Sequence, residues 1–346
     1  MSNEQDYPRP IYRLLVDGRD ISQQVEARLI SITLLDNRSL EADQLTIDLS
    51  DHDGLLAIPP RGAELQLWLG WSNTGLTDKG TYIVDETSHS GAPDSLSIVA
   101  RSANLRSDFK VKRERSWHAT TLGAVLRSIA ASHGLTPVIS SDLAAINIVH
   151  LDQANESDAN LLARLGEQHD AVSTVKAGHL LFMRAGRGQS ASGLFLAEVT
   201  LHRNDGDQHK FSQPDRNQYT GVKAYYHDLN SAQKKSAIAG DPTTVQELRH
   251  LYGSAEEAQS AANAQLQKLK RGSASLTFML AKGRPELHPE QSFYVLGIKD
   301  SISAIKWLGK KLTHKFTATS FTTTLDLESQ IIDDSVDSLA EKPTTP

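Results

Sequence analysis

His202, Asp205, Asp207 and His209 form the densest run of metal-capable side chains in the sequence. Imidazole nitrogens and carboxylate oxygens are the donors that zinc and related cations take as ligands. The same stretch, Asn204-Asp205-Gly206-Asp207, is an ordinary turn sequence, and no helical spacing puts both histidines on one face, so it reads as a turn. Gly188-Gln189-Ser190-Ala191-Ser192-Gly193 approaches the nucleophile elbow of serine hydrolases, but Ser192 stands where that strained turn needs its second glycine. Asp51 and Asp53-Gly54 suggest a calcium loop. Setting Gly54 at the invariant glycine, however, puts Leu49 at the first ligand position and Pro60 where a bidentate glutamate belongs. Asp85 and Glu86 are the carboxylates to nominate for glycan cleavage, yet adjacency alone gives them no cleft. Gly186-Arg187-Gly188 lacks the third glycine and the following helix of a dinucleotide loop. Lys110, Lys112, Arg113 and Arg115 beside Trp117 make the one basic run with an aromatic. Charges alternating along an exposed strand, solvated or facing a neighbouring subunit, explain it more simply than nucleic-acid binding. The reading therefore assigns no catalytic residue, no cofactor-binding residue and no metal ligand.

Composition narrows the class further. The chain of 346 residues has no cysteine, which removes disulfides, thiolate metal sites and cysteine nucleophiles together. Its formal charge of −6 argues against an affinity dominated by phosphate backbones, so no specific nucleic-acid binding is expected. No run approaches the roughly 18 apolar residues that a membrane span needs, and MSNEQDYPRP lacks the layout of a secretory leader. The expectation is a soluble protein made in the cytoplasm, long enough for two or three domains, without membrane insertion by this chain.

The elements that would carry such residues are mostly strands. Leu45, Ile47 and Leu49 alternate with polar neighbours, as do Leu65, Leu67, Leu69 and Trp71, the period of a half-buried strand. Tyr82 to Asp85 and Leu96 to Arg101 add short strands, and the spacing suggests an antiparallel barrel or sandwich. The period then changes. Thr121 caps a helix with Leu122, Val125, Leu126, Ile129 and Ala130 on one face, stopped at His133-Gly134. A second helix runs from about Ser157 to Gln168, capped by Asn155 or Ser157, burying Leu161, Leu162 and Leu165. A third opens with the capping box Ser254-Ala255-Glu256-Glu257 and ends at Gly272. Val172 to Met183 reads as a hairpin, Val222 to Tyr226 as a strand, and Leu276 to Leu280, Phe293 to Ile298, Lys311 to Thr317 and Phe321 to Leu327 as a second strand-rich block.

The two strand-rich blocks resemble each other. Leu45-Thr46-Ile47-Asp48-Leu49, Gly54, Pro60-Arg61-Gly62 and a strand ending at Gly70 are echoed by Leu276-Thr277-Phe278-Met279-Leu280, Gly283, Pro289-Glu290-Gln291 and a strand ending at Gly297. Each continues to a histidine, His89 or His314. The sharp reading is a duplicated barrel with helical segments inserted between the copies. Three such chains in a ring would present six similar barrels.

From residue 148 the sequence reads IVHLDQANESDANLLARLGEQHDAVSTVKAGHLLF. This stretch resembles the signature of the late-control protein D family, the tail hubs of contractile-tailed phages and R-type pyocins, which is related to the hub part of type VI secretion spikes. Gln153, Glu156, Ser157, Asp158, Leu162 and Leu165, followed by Lys176-Ala177-Gly178, occupy the signature positions, where a structural role is expected. Val16-Asp17-Gly18, Ser116-Trp117, Tyr219-Thr220-Gly221-Val222, Leu287-His288-Pro289, Trp307 and His314 extend the resemblance over about residues 10 to 328.

The resemblance implies an α+β protein of two tube-like antiparallel β-barrel domains with an inserted α+β segment. The expected divisions are a first barrel at 1–108, an insertion with two helices and a hairpin at 109–215, a second barrel at 216–328 with a capping helix near 254–271, and a flexible tail at 329–346. It further implies a homotrimeric structural hub, without enzymatic activity, joining a six-fold tail tube protein to a trimeric spike protein. Tape-measure and baseplate wedge proteins would be further neighbours. Such a hub is assembled in the bacterial cytoplasm into the baseplate of a phage tail or pyocin, and since no β-helical needle follows, the needle is expected on a separate chain. The alternatives are a tail-associated cell-wall hydrolase and a fused-spike relative that has lost its effector role.

Overall fold

The computed structural model describes residues 7–38, 43–102, 107–176, 178–190, 192–213, 219–228 and 231–330. The expected flexible tail lies, from Ile331 onward, outside the described residues. The alternating pattern does form strands: Leu45, Ile47, Leu49, Leu65, Leu67 and Leu69 are all buried in one core with Ile32, Leu34 and Ile98. A second core gathers Leu276, Phe278, Leu280, Phe293, Val295, Trp307, Leu312 and Leu325.

Each core belongs to a module of six strands. The first comprises Pro10–Val16, Leu29–Asn37, Gln44–Ser50, Glu64–Trp71, Gly75–Ser90 and Ser95–Ser102. The second comprises Val199–His202, Gly206–Ser212, Ser275–Leu280, Ser292–Leu296, Trp307–Phe316 and Phe321–Ser329. In both, the second strand pairs with the third, the third with the sixth, the fourth with the fifth and the fifth with the sixth, always antiparallel. The first strand joins the fourth in both, antiparallel in the first module and parallel in the second.

Registers agree as closely as topology. Leu45 faces Ala100 as Leu276 faces Leu327, and Ile47 faces Ile98 as Phe278 faces Leu325, the alignment that the sequence repeat gives. β-Bulges recur at equivalent places, between Leu29/Ser31 and Gly206/Gln208, and between Val84/Glu86 and Gly309/Lys311. One part of the sequence alignment needs shifting by a residue. Gly62 N donates to Val84 O and Val84 N to Ala63 O, both at 2.9 Å, while Glu290 N donates to Gly309 O and Gly309 N to Gln291 O, also at 2.9 Å. Gly62 is therefore matched by Glu290, not by Gln291. Both residues are left-handed, at φ 87° and 68°, a conformation that costs a non-glycine residue about 1 kcal/mol and hides the equivalence from side-chain matching.

The pairing also places Val199–His202 and Gly206–Ser212 in the sheet of the second module, although by sequence they fall inside the 109–215 segment. Gly206–Ser212 has too little apolar alternation to announce itself; only Phe211 packs on that core. The modules are fused through a shared seam: Trp307–Phe316 pairs antiparallel with Leu29–Asn37, His314 opposite Leu34, giving one sheet of 13 strands.

Between the modules, helices Leu122–Ser132 and Asp158–Gln168 bury the expected leucines against a three-stranded sheet of Ala171–Lys176, His179–Arg184 and Thr136–Ile139. Their caps are those the sequence implies: Thr121 accepts from Ala124 N at 3.3 Å and Ser157 from Asn160 N at 3.2 Å. Helix Ala255–Lys270, capped by Ser254, lies on a second three-stranded sheet of Gly221–Asp228, Gln233–Gly240 and Val245–Tyr252. Small residues Ala258 and Ala262 let the helix sit close to Val222 and Ala224.

A charged cluster locks these parts together. Lys176 Nζ, from the inserted hairpin, donates to Asp36 Oδ1 at 2.7 Å and lies 3.3 Å from Asp43 Oδ2. Lys79 Nζ lies 4.0 Å from Asp36 Oδ2 and donates to Pro285 O of the second module at 3.0 Å. Burial alone would raise the Asp36 pKa, but the two ammonium groups outweigh it and hold the carboxyl below its usual range. Asp36→Ala leaves two part-buried cations without their shared partner and should lower stability by about 3 kcal/mol. Urea unfolding checks this against Arg13→Ala, whose exposed pairing with Asp20 should leave the midpoint nearly unchanged.

Candidate functional site

Asp158 is fully buried at the first turn of helix Asp158–Gln168, where the helix dipole favours a carboxylate. Arg115 pairs with one carboxylate oxygen; His133 Nε2 at 2.8 Å and Arg113 Nε at 3.3 Å approach the other. Gln153 Nε2 donates to Asp158 Oδ1 at 2.8 Å and to Glu156 O at 2.9 Å, while Gln153 Oε1 accepts from Arg115 Nε at 2.8 Å. Glu156 takes two bonds from Arg164, at 3.1 and 2.7 Å, and Ser157 is the helix cap. Leu162 and Leu165 are buried in the core beneath. Gln153, Glu156, Ser157, Asp158, Leu162 and Leu165 thus gather where the strands Lys112–Thr121 and Asn147–Ser157 meet the helix, whereas Lys176 reaches Asp36 of the first module.

The His133–Asp158 contact has the spacing of a catalytic orienting pair, yet Phe109 stacks on the imidazole at 3.7 Å and closes it from solvent. Arg113 and Arg115 turn inward to this carboxylate rather than onto a solvated or intersubunit face, so the basic run is in part the counter-charge of a buried acid. Trp117 carries the Arg115 guanidinium over its ring at 5.3 Å.

The other candidates are dispersed. Asp205 Oδ2 accepts from His202 N at 2.7 Å, which makes it the cap of a tight turn, and His209 lies on strand Gly206–Ser212. No group of three or more potential ligands able to hold a metal occurs among the described residues. Ser190 and Ser192 bond each other at 2.9 Å in an exposed turn. Asp53 grips Arg28 through both oxygens, at 2.7 and 2.5 Å, and Asp51 Oδ2 lies 3.2 Å from His89 Nε2. Asp85 pairs with Arg101 at 2.9 Å, both exposed.

Sequence reasoning missed two constellations. His118 and His150 meet across paired strands, Nδ1 to Nδ1 at 2.9 Å, with Asp152 at 2.8 Å from His150 Nε2. The second is an ion network under a cleft of about 460 Å³ between the helix face Ala159, Ala163 and Gly166 and the side chain of Arg271. Arg271 binds Asp170 at 2.9 and 2.5 Å and Glu328 at 3.0 Å, and Arg38 pairs with Glu328 and, at 3.4 Å, with Glu290. Burial raises the Glu290 pKa despite Arg38. Its neutralised cations make this cleft a joint between segments rather than a binding pocket.

Residues 38–320 match the family described as phage tail baseplate hub (GPD). The chain belongs to that family. A curated relative, the "Probable baseplate hub protein" of Escherichia phage 186, is 39% identical over 365 residues, covering 94% of each chain. Among solved structures, the 43 kDa tail protein of prophage MuSo2 from Shewanella oneidensis is similar at a TM-score of 0.68 and 13% identity, over 91% of this chain and 97% of that one. The Escherichia coli c3393 protein, a type VI secretion component described as similar to T4 tail proteins gp27 and gp5, aligns at a TM-score of 0.54 and 12% identity, over 88% and 74% of the two chains. The protein is a baseplate hub of phage tails, and its mixed α+β fold is that of tail proteins.

Two outcomes test the hub's interior. Asp158→Ala strands two arginines and a histidine and should destabilise the protein by about 3–5 kcal/mol in urea. Burial pushes His314 down to about 3 and His169 to about 4, so both are neutral in the fold and protonate more readily when unfolded. Stability is then full above the ordinary histidine value near 6.5 and falls as pH drops through it toward those depressed values. Between pH 7 and 5.5 each should cost about 1 kcal/mol, and His314→Gln should flatten the slope of urea midpoints over that range.

Proposed function

We propose that the hub works as a homotrimeric mechanical adaptor between a six-fold tail tube and a trimeric spike, without catalysing a reaction. One observation carries this reading: a single chain holds two six-stranded modules of matching connectivity, register and bulge position. Three copies set six nearly equivalent modules in a ring, which is what a six-fold partner can mate with, while every feature outside the modules recurs only three times. The working parts are the two barrels, the second built from Val199–Ser212 and Ser275–Ser329 rather than from all of 216–328, since strands Gly221–Tyr252 and helix Ala255–Lys270 form a separate layer outside it.

Assembly takes place in the cytoplasm before the particle is released, with the tube protein on one rim and the spike on the other; tape-measure and wedge proteins complete the surroundings. The burial of Asp158 and His133, whose spacing is that of a catalytic orienting pair, supports the non-enzymatic part.

Co-expression with the spike protein of the same tail, followed by native mass measurement, should give a complex with three hub chains. A hub that remains a single chain in that complex overturns the proposal. Incubation of the purified hub with peptidoglycan should release no fragments; release abolished by a carboxylate substitution such as Asp85→Asn would favour the cell-wall hydrolase instead.

A further inference from the structure

The seam between the modules is made once inside the chain, and each of its halves occurs a second time with no strand paired to that edge among the described residues. Inside the chain, the second strand of the first module, Leu29–Asn37, pairs with the fifth strand of the second, Trp307–Phe316. The corresponding strands are Gly206–Ser212 in the second module and Gly75–Ser90 in the first. Gly206–Ser212 ends the sheet and, among the described residues, pairs with no strand other than Ser275–Leu280. Gly75–Ser90 uses one edge for Glu64–Trp71 only as far as Ile83; Val84 is then tied by Gly62 and Ala63, and beyond the bulge no strand among the described residues pairs with that edge. In the second module the matching edge, after the matching bonds from Gly309, is where Leu29–Asn37 docks.

We infer that these two open edges are one interface: Gly206–Ser212 of one copy adds antiparallel to the 86–90 edge of the next. This rests on the trimer reading and names the surface that closes it. The intrachain seam fixes the register. There His314 faces Leu34, Thr313 faces Leu35 and Lys315 faces Thr33. The shared bulges and cross-strand partners equate Thr313, His314 and Lys315 with Ser88, His89 and Ser90, and Thr33, Leu34 and Leu35 with Lys210, Phe211 and Ser212. Between copies, His89 therefore faces Phe211, Ser88 faces Ser212 and Ser90 faces Lys210. His314 and Leu34 point into the barrel cores, so His89 and Phe211 would complete the same layer. Phe211 already stands edge-on to Trp307 with ring centres 6.1 Å apart. The outward positions of both edges are serine and lysine, the residues by which a free edge resists indiscriminate pairing before its true partner arrives.

Because the chain has no cysteine, the register can be read by crosslinking. Facing residues on paired strands lie within disulfide reach, whereas a displacement of two residues takes them out of it. Ser88→Cys with Ser212→Cys, in the full chain co-assembled with its spike, should give under mild oxidation a covalent trimer on a non-reducing gel. The yield should exceed by roughly tenfold that of Ser88→Cys with Lys210→Cys. Equal or reversed yields overturn the register. A complex with three hub chains that neither pair crosslinks overturns the edge pairing while leaving the trimeric adaptor standing. A hub that stays a single chain overturns both.

Discussion

Lys176 crosses from the inserted hairpin to Asp36 and Asp43 in the first barrel, and Lys79 answers from the same barrel while bonding Pro285 of the second. Charges removed from water are expensive to hold singly and tolerable only in company, so this cluster permits one arrangement of the three segments and penalises others. It lies beside the strand seam whose buried His314 faces Leu34. The backbone ladder fixes how the two barrels turn relative to each other, and the charges fix where the insertion sits on them. In the proposed ring the angle between the barrels matters more than any one side chain.

The same logic governs the residues that looked chemical. Asp158, His133, Arg113 and Arg115 have the types and spacing of a reaction centre, but the carboxylate is buried and its charge is spent on holding a pair of strands against a helix. Arg38, Glu290, Arg271, Glu328 and Asp170 repeat the arrangement between the insertion and the second barrel. Acids and bases here serve as fasteners between segments, beside the apolar cores those segments share.

Much of this architecture is legible in the sequence because its signals are local. Alternation in Leu45–Leu49 and Leu276–Leu280 gives strands, the alignment of those strands gives the repeat to the residue, and Thr121, Ser157 and Ser254 mark three helix starts. Strands Gln233–Gly240 and Val245–Tyr252 escape notice because only one face is covered, by an alanine-rich helix that needs little apolar area opposite it. Glu290 hides its match to Gly62 because backbone angle, not side chain, is what the two share. The charged clusters are illegible for a different reason. Lys176 and Asp36 are separated by 140 positions, and His118 and His150 by 32, so nothing short of the folded chain brings them together.

Placing both barrels on one polypeptide changes the thermodynamics of closing a ring. The seam between Leu29–Asn37 and Trp307–Phe316 forms within a molecule, at an effective local concentration that dilution cannot reduce. In the proposed ring of such chains every second seam would be of this kind, and only the remaining ones would depend on hub concentration. Carrying both modules on one chain thus moves half of the seams of the proposed ring from assembly into folding.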